Sequence, residues 1–203
     1  MKSKLVRHRS YLGLACLLAS AILSTTPASV SAAQKRPAAP PTSAMDSNTV
    51  ATFLNRATTY VKLRNRVESK LPNLSKDSTP EQIAEHKKAF EDGVRLARGS
   101  AKPGDIFTAA AAEYLRRLIR TEFKGQDRGE VKEAILDADT TGVPLKVNYP
   151  YPETKEVSAT PPTLLLRLPE LPKELNYRFV GRHMLLIDKE NGLMIDYMLN
   201  ALP

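Results

Sequence analysis

Apolar residues recur at helical spacing along the first half of the chain and gather into short, near-continuous runs along the second. Val50, Phe53, Leu54, Ala57, Tyr60, Val61, Val67 and Leu71 fall mostly three or four positions apart, which predicts an amphipathic helix capped at Asp46 or Ser47 and stopped by Pro72. Thr79-Pro80-Glu81-Gln82 joins an N-cap, a proline at the first helical position and a Gln that can reach back to the cap, so a second helix starts there. Ile83, Phe90, Val94 and Ala97 share its face, and Gly99 closes it. A third helix is predicted from about Asp105 to Lys124, with Gly125 as its stop. Its wide apolar face marks it as the central one, and its alanine run lets a neighbour approach closely. A short fourth helix follows over about 128–137.

After Gly142-Val143-Pro144 the period changes. Leu145, Val147 and Tyr149 alternate with polar residues, and Thr163 to Leu168 is a β-like run fenced by Pro161-Pro162 and Pro169. Tyr177 to Asp188 and Leu193 to Met198 are two apolar β runs joined by the polar turn Lys189-Glu190-Asn191-Gly192, the pattern of a hairpin. Leu, Ile and Met stand on both faces of it, so it needs cover on both sides, with the helical block as one of the covers. Helices first and strands last predict an α+β fold. The expected architecture is an N-terminal three- to four-helix bundle packed with a C-terminal antiparallel β-hairpin or small sheet. It forms a single domain over 46–203, helical over 46–137 and β over 143–203.

The first residues follow different rules. Lys2, Lys4, Arg7 and Arg9 precede the apolar run Tyr11 to Leu23, and small residues lead to Val30-Ser31-Ala32-Ala33. These are the three parts of a cleavable signal peptide, placed here at 1–32. The run is shorter than the roughly 20 residues a spanning helix needs, and the expectation is an exported protein, periplasmic or extracellular, with no membrane span after cleavage. Cys16, the one cysteine of the chain, lies inside the apolar run rather than at its end, which argues against a lipidated precursor. Cleavage after Ala32 removes it, so neither a disulfide nor a thiolate metal site is expected in the mature chain. Residues 33–45 form a Pro/Ala-rich linker favouring extended polyproline II.

Removing the four signal charges from the formal +8 of the whole chain leaves +4. That is a tilt toward anionic surfaces rather than the footprint of a nucleic-acid binder, and the absence of tryptophan disfavours a stacking platform. Lys62, Arg66 and Lys70 make one basic stripe; Arg116, Arg120 and Lys124 make another. Each reads as a solvated helix face unless the two converge.

Candidate chemistry is sparse. His86 has no histidine or cysteine one turn away and reads as a packed helix residue. If Asp188 faces Leu193 across the turn, His183 and Asp196 lie diagonally on one face of the hairpin, where the carboxylate could orient the ring for catalysis or metal ligation. The competing reading pairs Asp196 with Arg178 or Arg182 across the sheet. Asp188, Glu190, Asn191 and Asp196 offer oxygen ligands, but Asp188-Lys189-Glu190-Asn191-Gly192 lacks the alternating order of a calcium loop. Tyr149-Pro150-Tyr151-Pro152 reads either as an exposed sticky loop or as a rigid connector with packed rings.

Leu171-Pro172-Lys173-Glu174-Leu175-Asn176-Tyr177-Arg178-Phe179-Val180-Gly181, Leu185-Leu186-Ile187-Asp188 and Gly192-Leu193-Met194-Ile195-Asp196 resemble the carboxyl-terminal hairpin of exported bacterial proteins without assigned function and of RcnB-type periplasmic proteins, which are linked to nickel and cobalt homeostasis. The resemblance spans roughly 30 residues. It implies a periplasmic accessory module, and fold likeness alone carries no activity. The function expected is a non-enzymatic envelope accessory or binding module, without a cofactor, acting on another envelope protein or an anionic surface. Two alternatives stand beside it: a periplasmic metal-responsive protein, and a hydrolase-like enzyme using His183 and Asp196.

Overall fold

The computed structural model describes residues 43–124 and 129–203. The predicted signal peptide and all but the last residues of the linker lie outside the described residues. Helix α1 (Ala44–Glu68) begins three or four residues before the predicted start, because Ser43 and not Asp46 or Ser47 is the cap: its hydroxyl accepts from the Asp46 amide at 3.1 Å. Asp46 thus falls in the first turn, where a carboxylate suits the helix dipole, and it pairs with Arg117 at 2.6 Å. Helix α2 (Pro80–Ala97) starts on the predicted capping box, with Thr79 and Gln82 exchanging backbone and side-chain hydrogen bonds.

Helix α3 (Ala109–Glu122) starts at Thr108, not near Asp105. Ile106 and Phe107 are buried but non-helical, because their amides donate to a carboxylate on the sheet. Helix α4 (Gly129–Leu136) sets Ile135 into the core beside the sheet.

Five antiparallel strands follow: β1 (Tyr149–Pro150), β2 (Ser158–Ala159), β3 (Leu175–Val180), β4 (His183–Asp188) and β5 (Leu193–Met198), in the spatial order β1-β5-β4-β3-β2. The fold is the predicted α+β, and of the two expected forms of its β part, hairpin or small sheet, it has the small sheet. Two sequence assignments change. The run Tyr177 to Asp188 is two strands, since Val180 pairs with His183 across Gly181-Arg182. Gly181 has φ +51°, suited to the first position of a tight hairpin turn; apolar residues on both sides hide the break in the sequence. The leucine run after Pro161-Pro162 is helical, not β, over Pro162–Leu165 (α5). Pro161 and Pro162 have no amide to lose at a helix start, and the Leu165 and Leu166 amides bond back to their carbonyls.

One sheet face carries Tyr177, Phe179, Met184, Leu186, Leu193 and Ile195 into a continuous core with Phe53, Phe90, Leu115 and Ile119 of the helices. Phe53 stacks on Phe107 and Tyr177, with centroids 5.5 and 6.4 Å apart. The other face presents Val180, Leu185, Ile187 and Met194, covered by Tyr151 together with Val143, Leu145 and Val157. The second cover is therefore the irregular strap 143–157. No helix of the described residues is long and apolar enough to cross a membrane.

Helices α1 and α2 meet closely at Gly93, where an added Cβ would lie 2.6 Å from Val67 Cγ1. A valine methyl on a stiff β-branched side chain cannot swing clear. Gly93→Ala should therefore destabilise the domain by about 1 kcal/mol, the overpacking cost less the gain in helix propensity. Val67→Ala should turn the same change stabilising relative to the Val67→Ala background. Urea unfolding of the four combinations checks both signs.

Candidate functional site

The register of β4 and β5 decides the fate of the histidine–aspartate pair. Leu186 faces Asp196 but Ile187 faces Met194, so Ile195 is an extra residue and β5 bulges. The bulge directs both Ile195 and Asp196 toward the helical layer. His183 pairs with Val180 and shares the opposite face with Leu185. The expected diagonal contact does not form, because one inserted residue moves Asp196 to the other side of the sheet.

Each member has a partner of its own. Asp196 is fully buried and accepts from Gly104 and Tyr197 at 2.8 Å on Oδ1, and from Ile106 and Phe107 at 2.7 Å on Oδ2. Burial raises its pKa, and the four amides pull it back down. Neither Arg178 nor Arg182 is its partner: Arg178 Nη1 donates to the Tyr177 carbonyl at 3.2 Å. His183 Nδ1 accepts from the Asn200 amide at 3.1 Å.

A second buried carboxylate, Asp188 at the end of β4, holds α1. Its Oδ2 accepts from Arg64 Nε at 2.7 Å and from the Tyr60 hydroxyl at 2.9 Å. Arg64, 4% exposed, also bonds Glu68 at 2.8 Å and Glu190, and it lies 5.3 Å from the Phe90 centroid. Burial opposes the Arg64 charge, yet the surrounding carboxylates raise its pKa. Tyr60 is pushed far above the ordinary phenol value by burial and by Asp188, so it remains a donor. Asp188 and Glu190, read from the sequence as oxygen ligands, are thus held by Arg64. No group of three or more His, Cys, Asp or Glu among the described residues is arranged to hold a metal ion.

The basic stripes do not merge. The Arg117–Asp46 pair sets the second half of α3 beside the first turn of α1. Lys62, Arg66 and Lys70 begin about 24 Å farther along α1 at 1.5 Å per residue. Arg116 is further tied to the Leu199 and Asn200 carbonyls at 2.8 and 3.2 Å, and Arg120 Nε donates to the Arg116 carbonyl at 3.3 Å. Lys62, Arg66, Lys70 and Lys124 are exposed. His86, half-buried on α2, lines a hollow of about 530 Å³ with Leu74, Ser78 and Glu85.

Positive charge does collect elsewhere. The end of α2 and the loop after it face the start of the strap across a cleft of about 460 Å³, lined by Arg95, Arg98, Lys102, Lys146, Tyr149 and Tyr197 among others. None of its lining residues is acidic. Asn148 makes the junction. It takes the left-handed conformation, φ +62°, which asparagine tolerates better than most residues. Its amide donates to the Met194 carbonyl at 2.8 Å, its Nδ2 to the Arg98 carbonyl at 3.2 Å, and its Oδ1 accepts from Arg98 Nη1 at 2.5 Å. Arg98 Nη1 also reaches the Ile195 carbonyl at 3.2 Å, and the guanidinium sits 5.2 Å from the Tyr60 centroid.

These partners of Arg98 are all uncharged, and burial lowers its pKa, although a guanidinium keeps its proton. Arg95 is paired with Asp92 and, at 3.7 Å, with Glu91. Its guanidinium also lies 5.0 Å from the Tyr149 centroid, and Lys146 Nζ lies 3.6 Å from the same point. Among the described residues no carboxylate stands within ion-pairing distance of Arg98, Lys102 or Lys146.

Sequence reasoning missed this cleft. The two readings of Tyr149-Pro150-Tyr151-Pro152, exposed loop or connector with packed rings, each fit one ring: Tyr149 is exposed and holds two cations, while Tyr151 is buried with its hydroxyl on the Glu156 carbonyl at 2.5 Å. The available signal was Arg95 and Arg98 in the last turn of a helix, with Lys146 and Tyr149 three apart in a loop. Their meeting across about 50 residues carries no local mark. Comparison with protein-family models, with curated proteins and with solved structures returns no match for this chain.

Two outcomes follow from these contacts. Asp188→Ala should cost about 3–5 kcal/mol, as expected when a buried ion loses its partner. The double variant Arg64→Met/Asp188→Leu should recover at least half of that in urea unfolding; additive losses would show that the two residues are not coupled. For His183, burial lowers the folded-state pKa from about 6.5, so the unfolded chain takes up the proton more readily. Stability should be complete above that value and decline as pH falls below it. His183→Gln should flatten that part of the unfolding-midpoint profile.

Proposed function

We propose that this chain is an exported, non-enzymatic binding module that engages an anionic partner outside the cytoplasm. The observation that carries this reading is the cleft between α2 and the strap. Four cationic side chains line it, no acidic residue does, and three of the four have no carboxylate at ion-pairing distance among the described residues. Of these three only Arg98 is half-buried, with Asp196 and Asp105 acting on it from beyond pairing distance, and an anionic ligand would supply a closer counter-charge. The amino-terminal pattern of basic residues, apolar run and Ala32-Ala33 supports the location.

The two alternatives have less support. The metal-responsive reading rests on the likeness of residues 171–196 to the hairpin of RcnB-type proteins, while the His183 Nδ1 lone pair is taken by Asn200. The hydrolase reading needs His183 and Asp196 together, and the bulge separates them.

Thermal unfolding with graded polyanions and a panel of divalent metals tests the choice. A ligand that binds only the folded state stabilises it by RT ln(1 + [L]/Kd), about 2.7 kcal/mol at a hundredfold excess over Kd. The expected outcome is a rise with polyanions that fades as salt is added. No rise with any polyanion at low salt would sink the proposal. A metal-specific rise lost in His183→Ala would put the metal reading in its place.

A further inference from the structure

The cleft's donors converge from separate segments, an arrangement suited to a tetrahedral oxyanion rather than a flat carboxylate. A carboxylate is satisfied by a single guanidinium fork. Here the charges come from separate segments: Arg98 from the end of α2, Lys102 from the following loop, and Lys146 from the strap. Arg98 spends Nη1 on Asn148 and Ile195, and the structure gives its Nε and Nη2 no hydrogen bond among the described residues. Those two donors and the two lysine ammonium groups form a set that a tetrahedral oxyanion, with three or four acceptor oxygens, can use in full. At about 460 Å³ the space also admits the organic body attached to such a group, within the usual range of small-ligand clefts. Pro103 and Leu145 supply apolar wall for it.

Tyr149 has a distinct part. Its ring holds Arg95 and Lys146, and a cation over an aromatic face is steadied without being neutralised. Lys146, which has no carboxylate partner among the described residues, keeps its charge for a ligand while losing part of its freedom, which lowers the ordering cost of binding. Tyr149 is thus a positioning residue.

We propose that the cleft between the end of α2 and the start of the strap binds a phosphate monoester or diester group, gripped by Arg98, Lys102 and Lys146, with Arg95 and Tyr149 at its side. This inference rests on the anion-binding reading above and narrows it to one site and one ligand chemistry. A free phosphorylated compound and a phospholipid headgroup share that chemistry.

The test measures binding of the full-length protein to inorganic pyrophosphate, to citrate as a carboxylate control, and to vesicles of phosphatidylglycerol against phosphatidylcholine. Lys102→Glu/Lys146→Glu removes cleft charge at two exposed positions and should leave the unfolding midpoint nearly unchanged. Lys62→Glu/Arg66→Glu/Lys70→Glu makes a larger charge change elsewhere, three cations reversed against two. The expected result is binding of pyrophosphate, of phosphatidylglycerol vesicles, or of both, weakened at least tenfold by the cleft variant and less than threefold by the α1 variant. Tyr149→Leu should weaken it severalfold, with Tyr149→Phe restoring it. Pyrophosphate binding without vesicle binding identifies a free phosphate compound, and the reverse identifies a headgroup. Citrate binding as tight as that of the phosphate probes overturns the ligand class. Anion binding untouched by the cleft variant overturns the site while leaving the anion-binding reading intact. No binding of any anion by the wild-type protein overturns both.

Discussion

Two carboxylates on the inner face of the sheet, Asp188 and Asp196, fasten the helical layer to the strands. A carboxylate taken out of water must be met by donors or it neutralises or unfolds its surroundings. Asp188 is met by Arg64 and Tyr60 of α1, and Asp196 by the amides of Gly104, Ile106 and Phe107 ahead of α3. Hydrophobic burial brings the layers together but has little directional preference. The carboxylates supply direction: one sets where α1 lies along the sheet, the other how the chain turns between α2 and α3. The beginning of α3 shows the effect. Ile106 and Phe107 could have extended the helix by pattern, yet their amides are committed to the sheet.

The same anchoring creates the cleft. Once the 104–107 loop is fixed on Asp196 and α1 on Asp188, the end of α2 lies against β5. Arg98 then bridges Asn148, the Ile195 carbonyl and the ring of Tyr60. The bulge in β5 that separates His183 from Asp196 also exposes the Ile195 carbonyl that Arg98 uses. One irregularity in a strand thus dissolves the dyad suggested by residue spacing and helps to build the cationic cleft suggested by none.

What could be read from the sequence was what local rules govern. The capping box at Thr79, the helical face through Phe53, Ala57, Tyr60 and Val61, and the turn ending at Gly192 each depend on neighbours a few positions away, and each stands where the pattern put it. The errors occur where a distant partner decides. The amide commitments of Ile106 and Phe107 belong to a residue about 90 positions later, and the bulge at Ile195 is visible only in the pairing with β4. Gly181 is a local signal masked in the sequence, because Val180 and Met184 continue the apolar run across it. For the site, histidine and aspartate drew attention as reactive types, whereas arginine, lysine and tyrosine in loops are common enough to pass as solvated surface.

The outer strands deserve a last physical consequence. β1 and β2 contribute two residues each, and β1 contains Pro150, which has no amide to offer a neighbouring chain. Short, proline-bearing margins are how sheets avoid templating the strands of other molecules. β1 is also the segment that presents Tyr149 to the cleft, and it shields one flank of β5, whose side chains are mostly apolar. Loosening this segment would therefore do two things at once: release the cations that Tyr149 restrains, and bare a row of backbone hydrogen-bonding groups to other chains. For a protein that holds a ligand through this segment, an occupied cleft would protect it against self-association.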